Sequence, residues 1–375
     1  MRTSALRVIA LLMLPGLASA ASFTPLGPDY ADDVSADGSV VVGVAASEAW
    51  RWTGGVTTPL NDDPSYYIQA RTASGVSADG AVVVGSATVA SWASGPTPYR
   101  QAFRWTGGQI TALGILPGHA SPDAHSEARA VSADGAVVVG FSTSGYGVEA
   151  FRWAGGAMTG LGFLPGGVWS WAYGVSADGS IVVGIGDSST SVNGPEAFRW
   201  VDGVMTGLGY LPGKSLSNAY DTSADGSVVV GDSGDGLTGA EAYRWVGGVM
   251  TGLGDLPGGD FRSTATSVSA DGSVVVGNSS GGDVDEAFIW TETKGMERLF
   301  DVLVENGATG LTGWHLNNVR ISGDGKWVVG WGINPAGETQ AFLANISPVP
   351  VPPAVYLFGS ALGLMGVMRR KIASL

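Results

Sequence analysis

Val175-Ser176-Ala177-Asp178-Gly179-Ser180-Ile181-Val182-Val183-Gly184 is followed, after a gap, by Glu196-Ala197-Phe198-Arg199-Trp200, the pair Asp202-Gly203, and Met205-Thr206-Gly207-Leu208-Gly209. The same unit recurs along the chain. The Asp of its first half falls at Asp37, Asp79, Asp134, Asp178, Asp225, Asp271 and Asp324, at spacings of 42, 55, 44, 47, 46 and 53 residues. Periods of roughly 40 to 50 residues match four-stranded propeller blades, whereas β-helix coils and leucine-rich repeats are shorter and helical repeats would show helical periodicity.

Each unit reads as four strands. Residues 174–176 form strand a, and Asp178-Gly179 supplies the positive φ angles of a tight hairpin turn. Residues 180–183 form strand b, apolar on both faces as a strand sandwiched between blades must be. In strand c, residues 196–200, alternation puts Glu196, Phe198 and Trp200 on one face and Ala197 with Arg199 on the other. An Asp-Gly or Gly-Gly turn leads to strand d, residues 205–208. The repeated Trp52, Trp105, Trp153, Trp200, Trp245 and Trp290 are expected in the core. The repeated Arg51, Arg104, Arg152, Arg199 and Arg244 are expected to pair with the turn Asp or the strand c Glu, because a buried guanidinium without a carboxylate costs several kcal/mol.

The chain is therefore expected to be all-β, a seven-bladed propeller of four-stranded antiparallel blades over residues 21–346. The first unit is preceded by a d-like segment, Phe23-Thr24-Pro25-Leu26, and the last unit, ending near Phe342, lacks strand d. Pairing the two would close the ring and hide two edges that could template aggregation.

Composition supports a packed body. Of 375 residues 45% are hydrophobic and 14% charged, too apolar for disorder, and no heptad or collagen pattern runs through the 60 Gly and 18 Pro. A net charge of −14 disfavours nucleic acid as a partner. The absence of Cys removes disulfides, thiolate nucleophiles and Cys-based metal sites, so stability rests on packing and closure.

Both ends read as addresses. Residues 1–20 carry Arg2 and Arg7, an apolar run over 8–17 and Ala18-Ser19-Ala20, a signal peptide cut by signal peptidase between Ala20 and Ala21. At the other end, residues 347–353 contain the motif Val349-Pro350-Val351-Pro352-Pro353, residues 354–368 form a short uncharged membrane segment, and residues 369–375 open with the basic Arg369-Arg370-Lys371, expected to stay cytoplasmic. Removing the five terminal bases leaves 14 bases against 33 acids, a body of −19 that favours divalent cations in general.

This tail resembles the PEP-CTERM sorting signal of Gram-negative bacteria, in its variant with an apolar residue between the prolines, and lacks the name-giving Glu. The resemblance implies handling by an exosortase-type membrane protease, passing the protein through the inner membrane to the cell surface or extracellular matrix. The internal repeat resembles the HAF family of extracellular repeats. Here Ala102-Phe103, Ala150-Phe151, Ala197-Phe198, Ala287-Phe288 and Ala341-Phe342 carry the match, with Ala49-Trp50 and Ala242-Tyr243 as aromatic variants. That family implies fold and export rather than a reaction, and the Glu that precedes Ala-Phe in most copies replaces the family's His.

Variation is confined to two connections. The turn Asp lies six residues before the Gly ending strand b in all seven units, whereas the b–c interval from Gly to Ala runs from 6 to 17 residues and the d–a interval from Leu to Asp runs from 11 to 25. In an antiparallel blade these two loops share one rim, and loops on a rigid scaffold carry binding residues. That face collects Trp92, Trp169, Trp171 and Trp314 as candidates for stacking on sugar or capturing peptide, and also His119, His125 and His315. The alternative is that each Trp roofs its own loop. His119, Asp123 and His125 have metal-ligand types but no helix to align them, and no paired carboxylates stand out among 33 acids. Ser-Ala-Asp-Gly lacks the second Asp of a calcium turn and is expected to be a hairpin turn; calcium is left open but not predicted, and no other cofactor is expected.

The leading expectation is a non-catalytic exported surface or matrix protein whose partner is an extracellular polysaccharide or surface protein. A propeller enzyme acting on polysaccharide, hydrolase or lyase, and a purely structural surface protein are the alternatives. Intact mass of the exported form tests the addresses: the mature species is expected to start at Ala21 and to lack Arg369, whereas a surface form that retains residues 369–375 would refute the sorting reading.

Overall fold

The structure, a computed structural model, describes residues 21–60, 68–89, 99–118, 124–189, 194–236, 239–282 and 284–347. Within them, 28 strands form seven four-stranded antiparallel sheets, joined by one helix, Leu299–Glu305. The molecule is a seven-bladed β-propeller. Blades 1 to 6 take consecutive strands a-b-c-d, beginning at residues 30, 68, 126, 170, 216 and 263.

Blade 7 is shared between the chain ends. Its strands a, b and c are His315–Ile321, Trp327–Ile333 and Thr339–Asn345, and Ser22–Pro28 supplies strand d. Ser22 lies opposite Asn345, Thr24 opposite Leu343 and Pro25 opposite Phe342, as the missing-strand argument requires. The Phe23 ring fastens the joint, 5.4 Å from Phe342 and 5.0 Å edge-on from Trp314.

The core is divided among seven apolar clusters, each bridging two neighbouring blades. The middle valines of strand b and the aromatic of Ala-Phe are wholly buried, including Phe103, Phe151, Phe198, Tyr243, Phe288 and Phe342. Each such ring stabilises its interface by about 1.5–3 kcal/mol relative to exposure. The repeated Trp residues are a correction: Trp52, Trp105, Trp153, Trp200, Trp245 and Trp290 are only half-buried and pack against the cluster margins. They sit two residues nearer the c–d turn than the Phe, at the rim of the blade.

The two kinds of turn differ. The c–d turns of blades 1 to 5 place both central residues at positive φ, as at Gly155 (59°) and Gly156 (86°) or Asp202 (49°) and Gly203 (86°), the geometry of two-residue hairpins. In the a–b turns only the Gly is left-handed, and the Asp acts through its side chain. Asp178 Oδ1 accepts from Ser176 Oγ at 2.7 Å and Ser180 N at 3.0 Å, while Ser176 Oγ accepts from Ile181 N. These donors, the Ser176 hydroxyl foremost, hold the Asp178 carboxyl down to about 2. Its contribution to stability is present above the ordinary carboxylate range and is lost as pH falls toward 2.

The a–b turns also bond to one another around the axis. Ala36 N donates to Ala78 O, and the series continues through Ala133, Ala177, Ala224, Ala270 and Gly323, until Asp324 N returns to Ala36 O at 3.2 Å. Strand c arginines reinforce this ring, in a second correction. They donate to the turn-Gly carbonyl of the next blade, Arg152 to Gly179 at 2.9 Å and Arg199 to Gly226 at 3.2 Å, and remain half-exposed, so no carboxylate partner is needed. The strand c acids serve strand d instead: Glu149 Oε1 accepts from Gly162 N at 2.9 Å.

The Gly ending strand b has a steric cause. A Cβ on Gly184 would collide with the Trp171 carbonyl oxygen, whereas a Cβ on Gly155 meets nothing within 4 Å. Gly184→Ala is therefore expected to cost about 2–4 kcal/mol in denaturant unfolding. Gly155→Ala should cost about 1–2 kcal/mol, from its left-handed backbone alone. Equal losses would contradict the close approach.

Candidate functional site

The close approach exists because every inner strand bulges at the same place. In blade 4, Ala172 pairs with Gly184 and Gly174 with Val183, leaving Tyr173 as the extra residue. The register skips Asp32 in blade 1, Ser74 in blade 2, Arg129 in blade 3, Tyr220 in blade 5 and Thr266 in blade 6 in the same way. Blade 7 skips two residues, Asn318 and Val319, and Asn318 takes a positive φ of 47°. A bulge re-aims its side chain out of the pleat. Asp32, Ser74, Arg129, Tyr173, Tyr220, Thr266 and Asn318 all line one axial cavity of about 660 Å³.

The cavity is a funnel open toward the b–c and d–a loops. Its wall includes the starts of strands a and c, the ends of strands b, and Ser280 and Asp285 beside the blade 6 b–c connection. At the opposite end of the axis the a–b turns and their hydrogen-bond ring converge.

Charge is unevenly placed around the funnel. On the side of blades 2 and 3, Glu127 is gripped by Arg100 at 2.8 Å and Arg129 at 3.1 Å. The Arg129 guanidinium lies 5.4 Å from the Phe141 ring and 5.9 Å from the Tyr173 ring, and its Nε is buried without a hydrogen-bond partner. On the other side, acids gather around Arg320. Asp33 accepts from Val34 N at 2.9 Å and, across the blade interface, from Val76 N at 2.8 Å. Asp221 does the same with Thr222 N and Val268 N, and Asp232 accepts from Asn218 and Thr264 side chains.

Desolvation pushes these carboxyls up. Asp32 rises to about 6 against the opposing pull of Arg320 and Arg129, and Asp33 to about 7 even though two backbone N–H groups favour its ionised form. Asp221 and Asp232 are raised by the same cause. Asp33, Asp221 and Asp232 thus tie neighbouring strands together, while Asp32 faces the cavity.

The sequence-predicted site residues are scattered. Trp314 is a correction: it is 7% exposed, packed with Leu299, Leu303 and Leu311 beneath the unpredicted helix, and is core rather than a ligand platform. Trp169 and Trp171 are half-buried and lean on each other at 5.6 Å, with Trp171 stacked on Phe141 at 5.1 Å; neither lines the funnel. Trp92, His119 and Asp123 lie outside the described residues, as do the residues named at the signal and sorting motifs other than Ala21. Ala21 is buried against blade 7. His125 is half-buried beside Phe141, and His315 is exposed. Among the described residues no three His, Asp or Glu side chains gather as a metal cage, and no helix is long and apolar enough to cross a membrane.

The bulge residues were missed, yet a signal existed. Five positions before the turn Asp, where everything around is repeated, six of the units carry Asp32, Ser74, Arg129, Tyr173, Tyr220 and Thr266. Because the Asp32 pKa is raised, the contribution of Asp32 to native stability is fully present below the ordinary carboxylate range and is lost as pH rises through about 6. Asp32→Asn is expected to flatten that fall, raising stability at pH 8 by about 1–2 kcal/mol. Carboxyl NMR of Asp32 titrating near 4 would contradict the enclosure.

No protein-family model matches the chain, and no curated protein matches it in sequence. Solved structures resemble it in fold. An oligogalacturonate lyase from Vibrio parahaemolyticus, 10% identical, superposes with a TM-score of 0.55 over 87% of this chain and 93% of its own. A puromycin-hydrolyzing peptidase of Mycobacterium tuberculosis, 13% identical, gives 0.51 over 87% of this chain and 54% of its own. Likeness at such identity concerns the fold alone, and what it shows here is the β-propeller.

Proposed function

We propose that the protein is an exported, non-catalytic surface or matrix propeller that binds glycan in the axial funnel on its variable-loop face. One observation carries this reading. The frame repeats seven times, but the residues that the bulges turn into the cavity do not: Asp32, Ser74, Arg129, Thr266 and Asn318 stand in five blades, and tyrosine recurs only in blades 4 and 5. Packing alone would be served by repetition there too, whereas an asymmetric ligand requires different groups at each point around it. Tyrosine faces and Ser, Thr and Asn side chains suit the alternating apolar and hydroxylated surface of a sugar.

Binding is favoured over cleavage. Hydrolysis by paired carboxyls needs two that are free to act. Of the carboxyls that line the funnel, Glu127 is committed to two arginines and Asp285 to Arg262, which leaves Asp32 alone, while Asp33, Asp221 and Asp232 are spent on hydrogen bonds between strands.

Chain direction supports a role at the envelope. Ser22 and Asn345 pair at the a–b turn end, and Ile346 N bonds Lys326 O beside the same turn. Both ends of the described body thus lie on the face opposite the funnel mouth. A tail held by the membrane or by a sorting protease would leave the funnel pointing outward.

Ser74→Phe tests the site by filling it. The equivalent bulge position already holds tyrosine in blades 4 and 5, so the fold should tolerate the ring. Glycan affinity by calorimetry is expected to drop about tenfold or more, with thermal stability unchanged, while Thr57→Phe on an exposed outer strand has no effect. Undiminished binding by Ser74→Phe would move the site elsewhere.

A further inference from the structure

Resting on the glycan reading, we infer that the ligand is an anionic glycan, seated with its acid groups on an arginine wall formed by Arg71, Arg100 and Arg129. The chain has 19 basic residues against 33 acids, and five of its arginines are spent on the strand c contacts to turn carbonyls. In such a sequence three arginines on adjoining inner and middle strands of blades 2 and 3 are a local inversion of charge. Arg100 and Arg129 line the funnel, and Arg71 joins Arg100 in a side pocket of about 420 Å³ that shares Thr72 with it.

Among the described residues one acid answers these three guanidinium groups at hydrogen-bond distance, Glu127, and it engages Arg100 and Arg129. Among the described residues Arg71 bonds neutral groups, the Thr88 hydroxyl at 3.1 Å and the Gln69 side chain. The wall therefore keeps an excess of two positive charges over its single acid. Arg129 is steadied beside the Phe141 and Tyr173 rings, with its Nε enclosed and one terminal nitrogen on Glu127, so its guanidinium is already positioned where it meets the funnel. Planar guanidinium groups pair with carboxylate or sulfate oxygens through two parallel N–H bonds, while the hydroxyls of Thr72 and Thr88 suit sugar hydroxyls. A net charge of −14 disfavours anions at the surface on average, which makes a local excess of arginine the more selective.

The test uses the full mature chain with four polymers: polygalacturonate, dextran sulfate, neutral dextran and poly-glutamate. Either charged glycan should bind and neutral dextran should not, and the two charged arms tell carboxylate from sulfate. Arg71→Gln, which breaks no ion pair, and Arg129→Gln should each weaken binding about tenfold or more, with Arg129→Lys restoring only part of it. Circular dichroism melts confirm that the variants fold, and carboxyl-reduced polygalacturonate repeats the test on the unaltered protein. Equal binding of neutral or reduced polymer, or indifference to both arginine variants, overturns the anionic assignment and leaves the glycan reading standing. Binding of poly-glutamate with no glycan overturns both.

Discussion

The antiparallel pairing of Ser22–Pro28 with Thr339–Asn345 is the contact on which the rest depends. With no Cys in the chain, nothing covalent holds the first and last blades together. Without that strand, Phe23 leaves Phe342 and Trp314, blade 7 exposes an edge, and the cluster joining blade 7 to blade 1 loses Leu26. The axial series of turn-to-turn hydrogen bonds is cyclic, so it too exists only when the seventh blade abuts the first. Closure is cooperative in the literal sense that each interface presupposes the others.

A rigid closed ring makes a precise axial surface available at no further structural cost. The bulge opposite each strand b Gly lifts a side chain of every blade out of the ladder and turns it toward the axis, away from the interfaces that the repeated residues fill. The frame can then be repetitive while the cavity is not. Arginines gather on the side of blades 2 and 3, and acids with raised pKa gather around Arg320. Such polarity across a small funnel is what an asymmetric, partly charged ligand would find complementary.

Much of this frame is legible in the sequence. Blade number, turn positions, the sorting of constant turns and variable loops to opposite faces, and the closing strand all follow from counting, because each is set by local backbone chemistry repeated seven times. Three readings went astray for identifiable reasons. Arg152 and Arg199 lie beside acids in sequence, but the nearest acceptor in space is a carbonyl of the next blade, which no single-blade argument supplies. Trp200 shares a face with Phe198, but strand alternation does not tell how far toward the rim burial extends. Trp314 sits in a variable connection, and its burial depends on the helix Leu299–Glu305, whose apolar Leu299, Val302 and Leu303 cover it. The funnel residues were hidden because a bulge breaks the alternation used to assign faces. The Gly six residues after the turn Asp marks that bulge once its cause is known.

The central claim is that a symmetric frame carries one asymmetric site at its open axial end. Backbone and side-chain NMR of the labelled protein during titration with an acidic oligosaccharide addresses it most directly. Shifts should cluster on Asp32, Ser74, Arg129, Tyr173, Tyr220 and Thr266, with the seven a–b turns silent. Perturbations centred on those turns, or spread evenly over the outer strands, would contradict it.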